Sequence, residues 1–180
     1  MFFFHKKMRQ NNSIKCGYFC VNIGNGNSIL YRHSVRSDSL LGGLVVTDNT
    51  NNELLFRNII DKDLSILIHV PEQKNYTKNI VISDSHKFKS YVDSVFNIAL
   101  DGNYLDAMTL NGMLYSEILK QSNDAAIFAL KNHALAAGLS GTGPSVAAIC
   151  RPGYESQILE SWKSLGGDVI SAKINNDKGM

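Results

Sequence analysis

The sequence predicts an α+β fold, and three observations carry the prediction. Strand-period segments dominate residues 44–70, helix-period segments follow from Phe88 onward, and one more helix and strand close the chain. Antiparallel strands followed by clustered helices make α+β layers rather than an alternating parallel sheet. A chain of 180 residues is long enough for one substantial core or two small lobes.

Residues 1–36 differ from the rest, being rich in Asn, Ser, Lys and Arg with weak periodicity. The opening residues 1–7 are apolar but far too short for a membrane span or a signal core. Residues 17–23 read as a strand, and Gly24-Asn-Gly-Asn27 as a turn into a second strand at 28–31. Residues 44–47 read as a strand, 49–52 as a turn and 53–56 as the return. Leu64, Ile66, Ile68 and Val70 then alternate with Ser65, Leu67 and His69, which is strand periodicity. Pro71 stops it.

Three helices come next. Ser83, Asp84 and Ser85 offer caps for the first, whose stripe is Phe88, Val92, Val95, Phe96 and Ala99. Asp101-Gly102-Asn103 breaks it. Leu105, Met108, Leu114, Tyr115 and Ile118 mark the second, and Ser122 and Asn123 cap a third that starts at Asp124. Such short connections join antiparallel neighbours. Tyr154, Ile158, Trp162 and Leu165 form one face of a last helix, closed by Gly166-Gly167. Residues 168–173 are a final strand, and the polar tail 175–180 reads as frayed.

Composition excludes several functions. Hydrophobic residues make up 44%, ordinary globular usage. A net charge of +2 is too small to argue for nucleic acid, and no basic cluster interleaves with aromatics. Three cysteines are an odd count, and Cys16 and Cys20 lack a second ligand pair. Reduced thiols without metal follow, with Cys150 small and buried in its strand. The expectation is a soluble, cytoplasmic protein with no membrane or nucleic-acid partner.

The most informative segment is Gly138-Leu-Ser-Gly-Thr-Gly-Pro-Ser145. Glycine permits a positive φ and removes the Cβ, so this backbone can bend sharply. Successive amides in such a bend form a concave anion site, and the Ser140 and Thr142 hydroxyls add donors. The ordinary reading of a glycine-rich turn is a β-turn between two strands. The small apolar run Ala134-Leu-Ala-Ala137 before it and the strand-like Val146-Ala-Ala-Ile-Cys150 after it make the anion site the better reading.

The stretch from Ala136 through Ala148 resembles the third glycine-rich motif of the GHMP small-molecule kinases, and in particular the archaeal type of shikimate kinase. Leu41-Gly-Gly-Leu-Val-Val-Thr-Asp-Asn49 resembles a second stretch of that family. The resemblance covers roughly residues 37–180, which sets residues 1–36 apart as a divergent or truncated segment. It implies a ferredoxin-like C-terminal lobe, with helices packed on an antiparallel sheet, plus part of the N-terminal lobe. It also implies ATP and Mg2+ as cofactors, shikimate as acceptor, and phosphorylation of a shikimate hydroxyl for aromatic amino acid biosynthesis. The residues it assigns to ATP or substrate binding are Gly138, Ser140, Gly141, Thr142, Gly143 and Ser145.

The resemblance fades upstream. The family's Ser-Ser-containing triphosphate motif is not found, and Gly24-Asn-Gly-Asn-Ser28 has the wrong order for it. Counted back from Gly42-Gly43, the catalytic acid position falls at Ser34 and Val35, neither of which is a carboxylate; Asp38 is the nearest acid but is displaced. The expectation is therefore a shikimate-kinase-like chain truncated before its main ATP-binding motif. The alternatives are a non-catalytic remnant, self-associating through surface the missing lobe would cover, and a ferredoxin-like small-ligand sensor.

Other candidates have plain structural readings beside the functional ones. His69 ends a strand, and His133 ends the third helix, where a cation suits the dipole. His86, Lys87 and Lys89 read as a solvated helix start. Arg151 could grip a carboxylate in two-pronged fashion, or sit on the surface. Asp48 and Asn49 shape a turn, and Trp162 belongs to a core.

Overall fold

The computed structural model describes residues 2–6, 19–21, 43–48, 53–72, 88–141, 143–174 and 176. Four strands make a first sheet: β1 (Phe2–Lys6), β2 (Phe19–Val21), β3 (Leu44–Asp48) and β4 (Glu53–Asn58). Their order is β2-β1-β3-β4, with β1 parallel to β3 and the other pairs antiparallel. The predicted strand at 17–23 is there as β2, but its described partner is β1. The expected return strand at 28–31 and the turn at 49–52 lie outside the described residues, as do the caps at 83–85. The β3–β4 hairpin is as expected, and β4 runs two residues further, to Asn58.

The second sheet holds β5 (Ser65–Val70), β6 (Ala134–Leu139), β7 (Val146–Cys150) and β8 (Asp168–Lys173). Among the described residues three helices lie between β5 and β6: α1 (Lys89–Leu100), α2 (Tyr104–Leu119) and α3 (Asp124–Lys131). A fourth, α4 (Glu155–Trp162), lies between β7 and β8. The order β6-β7-β5-β8, antiparallel throughout, is that of a ferredoxin-like split β-α-β unit. The α+β fold is thus as predicted.

Alternate residues of the central strands enter two different apolar layers. Ile66, Ile68, Ala136, Ala147 and Ile149 pack with Val95 and Ala99 of α1, Ala107 and Met108 of α2, and Leu44 and Ile60. Leu67, Ala137, Leu139, Val146, Ala148 and Cys150 pack with α3 and with Ile158 and Trp162 of α4. Both faces of the sheet are therefore covered. The alternation read along β5 does not mark a wet face: Ser65, Leu67 and His69 are buried too. Burial demands partners for the two polar ones. The Ser65 hydroxyl donates to Glu155 Oε1 at 2.6 Å, and His69 Nε2 meets the Gly166 carbonyl at 2.8 Å.

The tail is not frayed at Asn176. Its buried side chain accepts from the Ile60 N–H at 3.0 Å and donates to the Ile60 carbonyl at 2.7 Å, which ties the C-terminus to the β4–β5 connection. Asn176→Ala would leave both Ile60 groups buried and unpaired. At roughly 1–3 kcal/mol for each such group, the expected loss is about 2–4 kcal/mol, read as a lower urea midpoint. A midpoint equal to that of the parent would contradict the clamp.

Candidate functional site

The glycine-rich segment is a hairpin loop between β6 and β7. Leu139 pairs with Val146, the Ser140 amide donates to the Ser145 carbonyl at 2.8 Å, and the Gly143 amide donates to the Ser140 carbonyl at 3.2 Å. Gly141 and Gly143 have φ of 66° and 71°, values that favour glycine, and the Gly143–Pro144 bond is cis. The turn between two strands and the sharp bend are thus one feature. The bend does not present every amide outward, because those of Ser140 and Gly143 close the loop on itself. The Gly141 amide and the Ser140 and Ser145 hydroxyls carry no partner among the described residues, and all three residues are half-buried. Thr142 lies outside the described residues.

Gly138 has a packing task that the sequence reading did not foresee. It lies in β6, buried, where α2 crosses the strand. A Cβ on Gly138 would sit 2.8 Å from the Met108 carbonyl oxygen, and one on Gly112 would sit 2.4 Å from the Gly138 Cα. The Ala137 amide of the same strand donates to the Thr109 hydroxyl at 3.3 Å. Helix α2 therefore covers the outer edge of β6 and supplies a partner for one of its edge donors. Gln121, just past α2, lies beside Gly143, whose Cβ would come within 3.3 Å of it. Thr109, Gly112 and Gln121 are the supports of the loop that sequence reasoning missed. A glycine inside an otherwise helical run was the available signal, because it needs a packing reason. Asn111 and Ser116 of α2 are also buried, and Asn111 Oδ1 and Ser116 Oγ have no hydrogen-bond partner among the described residues.

The other candidates do not converge on this loop. Arg151 is exposed at the far end of β7, about 20 Å from Ser145 at strand rise. His133 lies beyond α3 rather than on it, with φ 70° and its ring 4.7 Å from Tyr154. His69 and Trp162 are core residues, their rings 5.5 Å apart, and the Trp162 indole donates to the Ala125 carbonyl at 2.8 Å. Asp48 ends β3 and Lys89 opens α1. Ser34, Val35, Asp38, Gly42, Asn49, His86 and Lys87 lie outside the described residues. Burial, then the Glu155 charge, pushes the Cys150 thiol up to about 11, so it stays protonated and inert at neutral pH. The Ser65 hydroxyl, foremost, then the amides of Glu155 itself and Gly153, hold the Glu155 carboxyl below its usual range. Two shallow grooves, one against α4 and one beside Thr109 and Leu135, are lined by no residue of the glycine loop.

The fold that carries this loop has known counterparts. Residues 102–168 match the family model described as GHMP kinases C terminal. Over these residues the chain is similar to that family. A shikimate kinase of Methanothrix thermoacetophila is 39% identical over 138 residues, 77% of this chain and 47% of that protein. One from Methanothermobacter thermautotrophicus is 36% identical over 152 residues, 84% of this chain and 52% of that protein. The chain thus spans about half the length of the curated relatives it matches. Among solved structures, homoserine kinase from Cytophaga hutchinsonii superposes with a TM-score of 0.52 at 19% identity, over 76% of this chain and 50% of that one. Mevalonate kinase from Methanococcus jannaschii gives 0.53 at 16%, over 70% and 45%. At these identities the superpositions speak for the fold. No described helix is long and apolar enough to cross a membrane.

Proposed function

We propose that this chain works as the C-terminal portion of a shikimate-phosphorylating kinase, with ATP as phosphoryl donor. The observation that supports it most is the 39% identity to a shikimate kinase over 138 residues. Phosphoryl transfer asks the protein mainly for positioning and for donors aimed at developing charge. The Gly141 amide and the Ser140 and Ser145 hydroxyls are such donors, carried by a loop whose two strands are anchored in the core. Gly138 and Gly143 act by shape rather than by contact, the first admitting α2 and the second closing the bend, and Thr142 adds a third hydroxyl to the same loop. Among the described residues no group of three His, Cys, Asp or Glu side chains is placed to hold a metal ion.

A coupled ADP-release assay tests the reading. Release that depends on shikimate is expected, and the double variant Ser140→Ala, Ser145→Ala should lower kcat/KM about ten- to a hundredfold, the weight of one or two hydrogen bonds to a charged group. Release at the no-shikimate background rejects the reading for this chain.

A further inference from the structure

Helix α2 ends in a Schellman cap, and the last residue of that cap reaches the glycine loop. The Lys120 amide donates to the Glu117 carbonyl at 3.3 Å, and the Gln121 amide to the Ser116 carbonyl at 2.8 Å. Lys120 has φ 54° and ψ 44°, a left-handed conformation that glycine usually takes at this position. The next residue in such a cap commonly carries an apolar side chain that packs back on the helix. Here it is a half-buried glutamine whose stem lies beside the loop. A Cβ on Gly143 would sit 3.3 Å from Gln121 Cγ and 3.6 Å from Gln121 Cδ. Gln121 is held from its other side too. The Asp124 amide donates to the Ser122 hydroxyl at 3.0 Å, and that hydroxyl donates to Asp124 Oδ2 at 2.8 Å, which fixes the turn into α3. Leu119 and Ala125, on either side of the turn, share one apolar layer with Leu139 and Val146, which flank the loop.

We propose that Gln121 is the positioning residue of the glycine loop, its stem keeping the 140–145 hairpin in binding shape before an anion arrives. This rests on reading the loop as the anion-holding element of the proposed kinase. Two backbone hydrogen bonds close the loop, from Ser140 to Ser145 and from Gly143 to Ser140. Gly141 and Gly143 give the same backbone many other conformations. A side chain already fixed by the ends of two helices removes such alternatives at Gly143. The apparent affinity of a site scales with the fraction of free protein in the competent shape. The brace therefore acts on binding before it acts on the chemical step.

Amide hydrogen exchange on the full chain, read residue by residue by NMR without ligand, tests it. Gln121→Ala should speed exchange of the Ser140 and Gly143 amides about tenfold at a urea midpoint near that of the parent, because local opening is governed by local contacts. Gln121→Met keeps an unbranched stem of similar length and should exchange like the parent. In the ADP-release assay Gln121→Ala should raise KM about tenfold for the anion the loop holds, ATP or shikimate, with kcat within twofold. A variant that is merely less folded loses kcat at constant KM. Loop amides of Gln121→Ala that exchange at the parent rate overturn the proposal. So do equal exchange rates in the alanine and methionine variants, or a KM unchanged for both substrates. A parent without shikimate-dependent release rejects the kinase reading, and the exchange rates then decide the brace by themselves.

Discussion

Gly112→Ala is expected to destabilise the protein by about 3 kcal/mol, although alanine is the better helix former by about 1 kcal/mol. The sign is decided by geometry. The added methyl would lie 2.4 Å from the Gly138 Cα and 2.9 Å from the Leu139 amide nitrogen, and both are backbone atoms that cannot rotate away. Either α2 lifts off β6 or β6 shifts within the sheet. Lifting α2 uncovers the Ala137 amide that Thr109 serves and opens both apolar layers, since α2 gives Met108 to one and Tyr115 to the other. Met113→Ala, one position on and facing solvent, should stay within about 0.5 kcal/mol of the parent. Urea midpoints of the two variants provide the comparison. If Gly112→Ala and Met113→Ala unfold at the same concentration, the close crossing of α2 over β6 is wrong. The glycine loop hangs from β6, so in the proposed kinase the same substitution should also lower shikimate-dependent turnover in whatever fraction remains folded.

What the sequence made legible follows from how local each signal was. The loop at 138–145 announced itself because glycines, hydroxyls and proline in eight residues describe a bend without any tertiary partner. The last helix and β8 were legible for the same reason, down to the residues of the strand. The crossing at Gly112 was not legible, because its cause is Gly138, which is distant along the chain. Asn176 read as tail because its partner, Ile60, is 116 residues away. Along β5 the alternation misled: a sheet covered on both faces buries its polar positions as well, and Ser65 and His69 find partners in α4 and in the Gly166 turn. The run of three phenylalanines in β1 has no period at all, so nothing distinguished a strand there. For the candidate site, the Ser140 hydroxyl was read from the loop's composition, whereas Ser145 came with the resemblance. Which amides face inward was set by the hairpin's own hydrogen bonds, which composition does not encode.

Trp162→Ala is expected to cost about 3–5 kcal/mol, the usual range for an aromatic-to-alanine change in a core. Trp162 is among the largest fully buried side chains of the protein and ends α4 against α3. Its ring fills the layer beneath β5, tilted 54° to His69, while its N–H satisfies the Ala125 carbonyl near the start of α3. Two losses are therefore superposed: a cavity, and the buried hydrogen bond from the indole N–H to the Ala125 carbonyl. Trp162→Phe separates them, because it keeps most of the ring and removes the N–H. That variant should cost about 1–2 kcal/mol, near the value of one buried hydrogen bond. Trp162 is also the single tryptophan of the chain, so its emission in the parent reports this layer alone. Unfolding of the parent followed by that emission should coincide with unfolding followed by far-ultraviolet circular dichroism if the two layers melt together. The circular dichroism midpoints of the variants then rank parent, phenylalanine and alanine in falling order. A phenylalanine variant no more stable than alanine would assign the whole effect to the Ala125 hydrogen bond. An alanine variant as stable as the parent would mean that α4 does not close the second layer of the sheet.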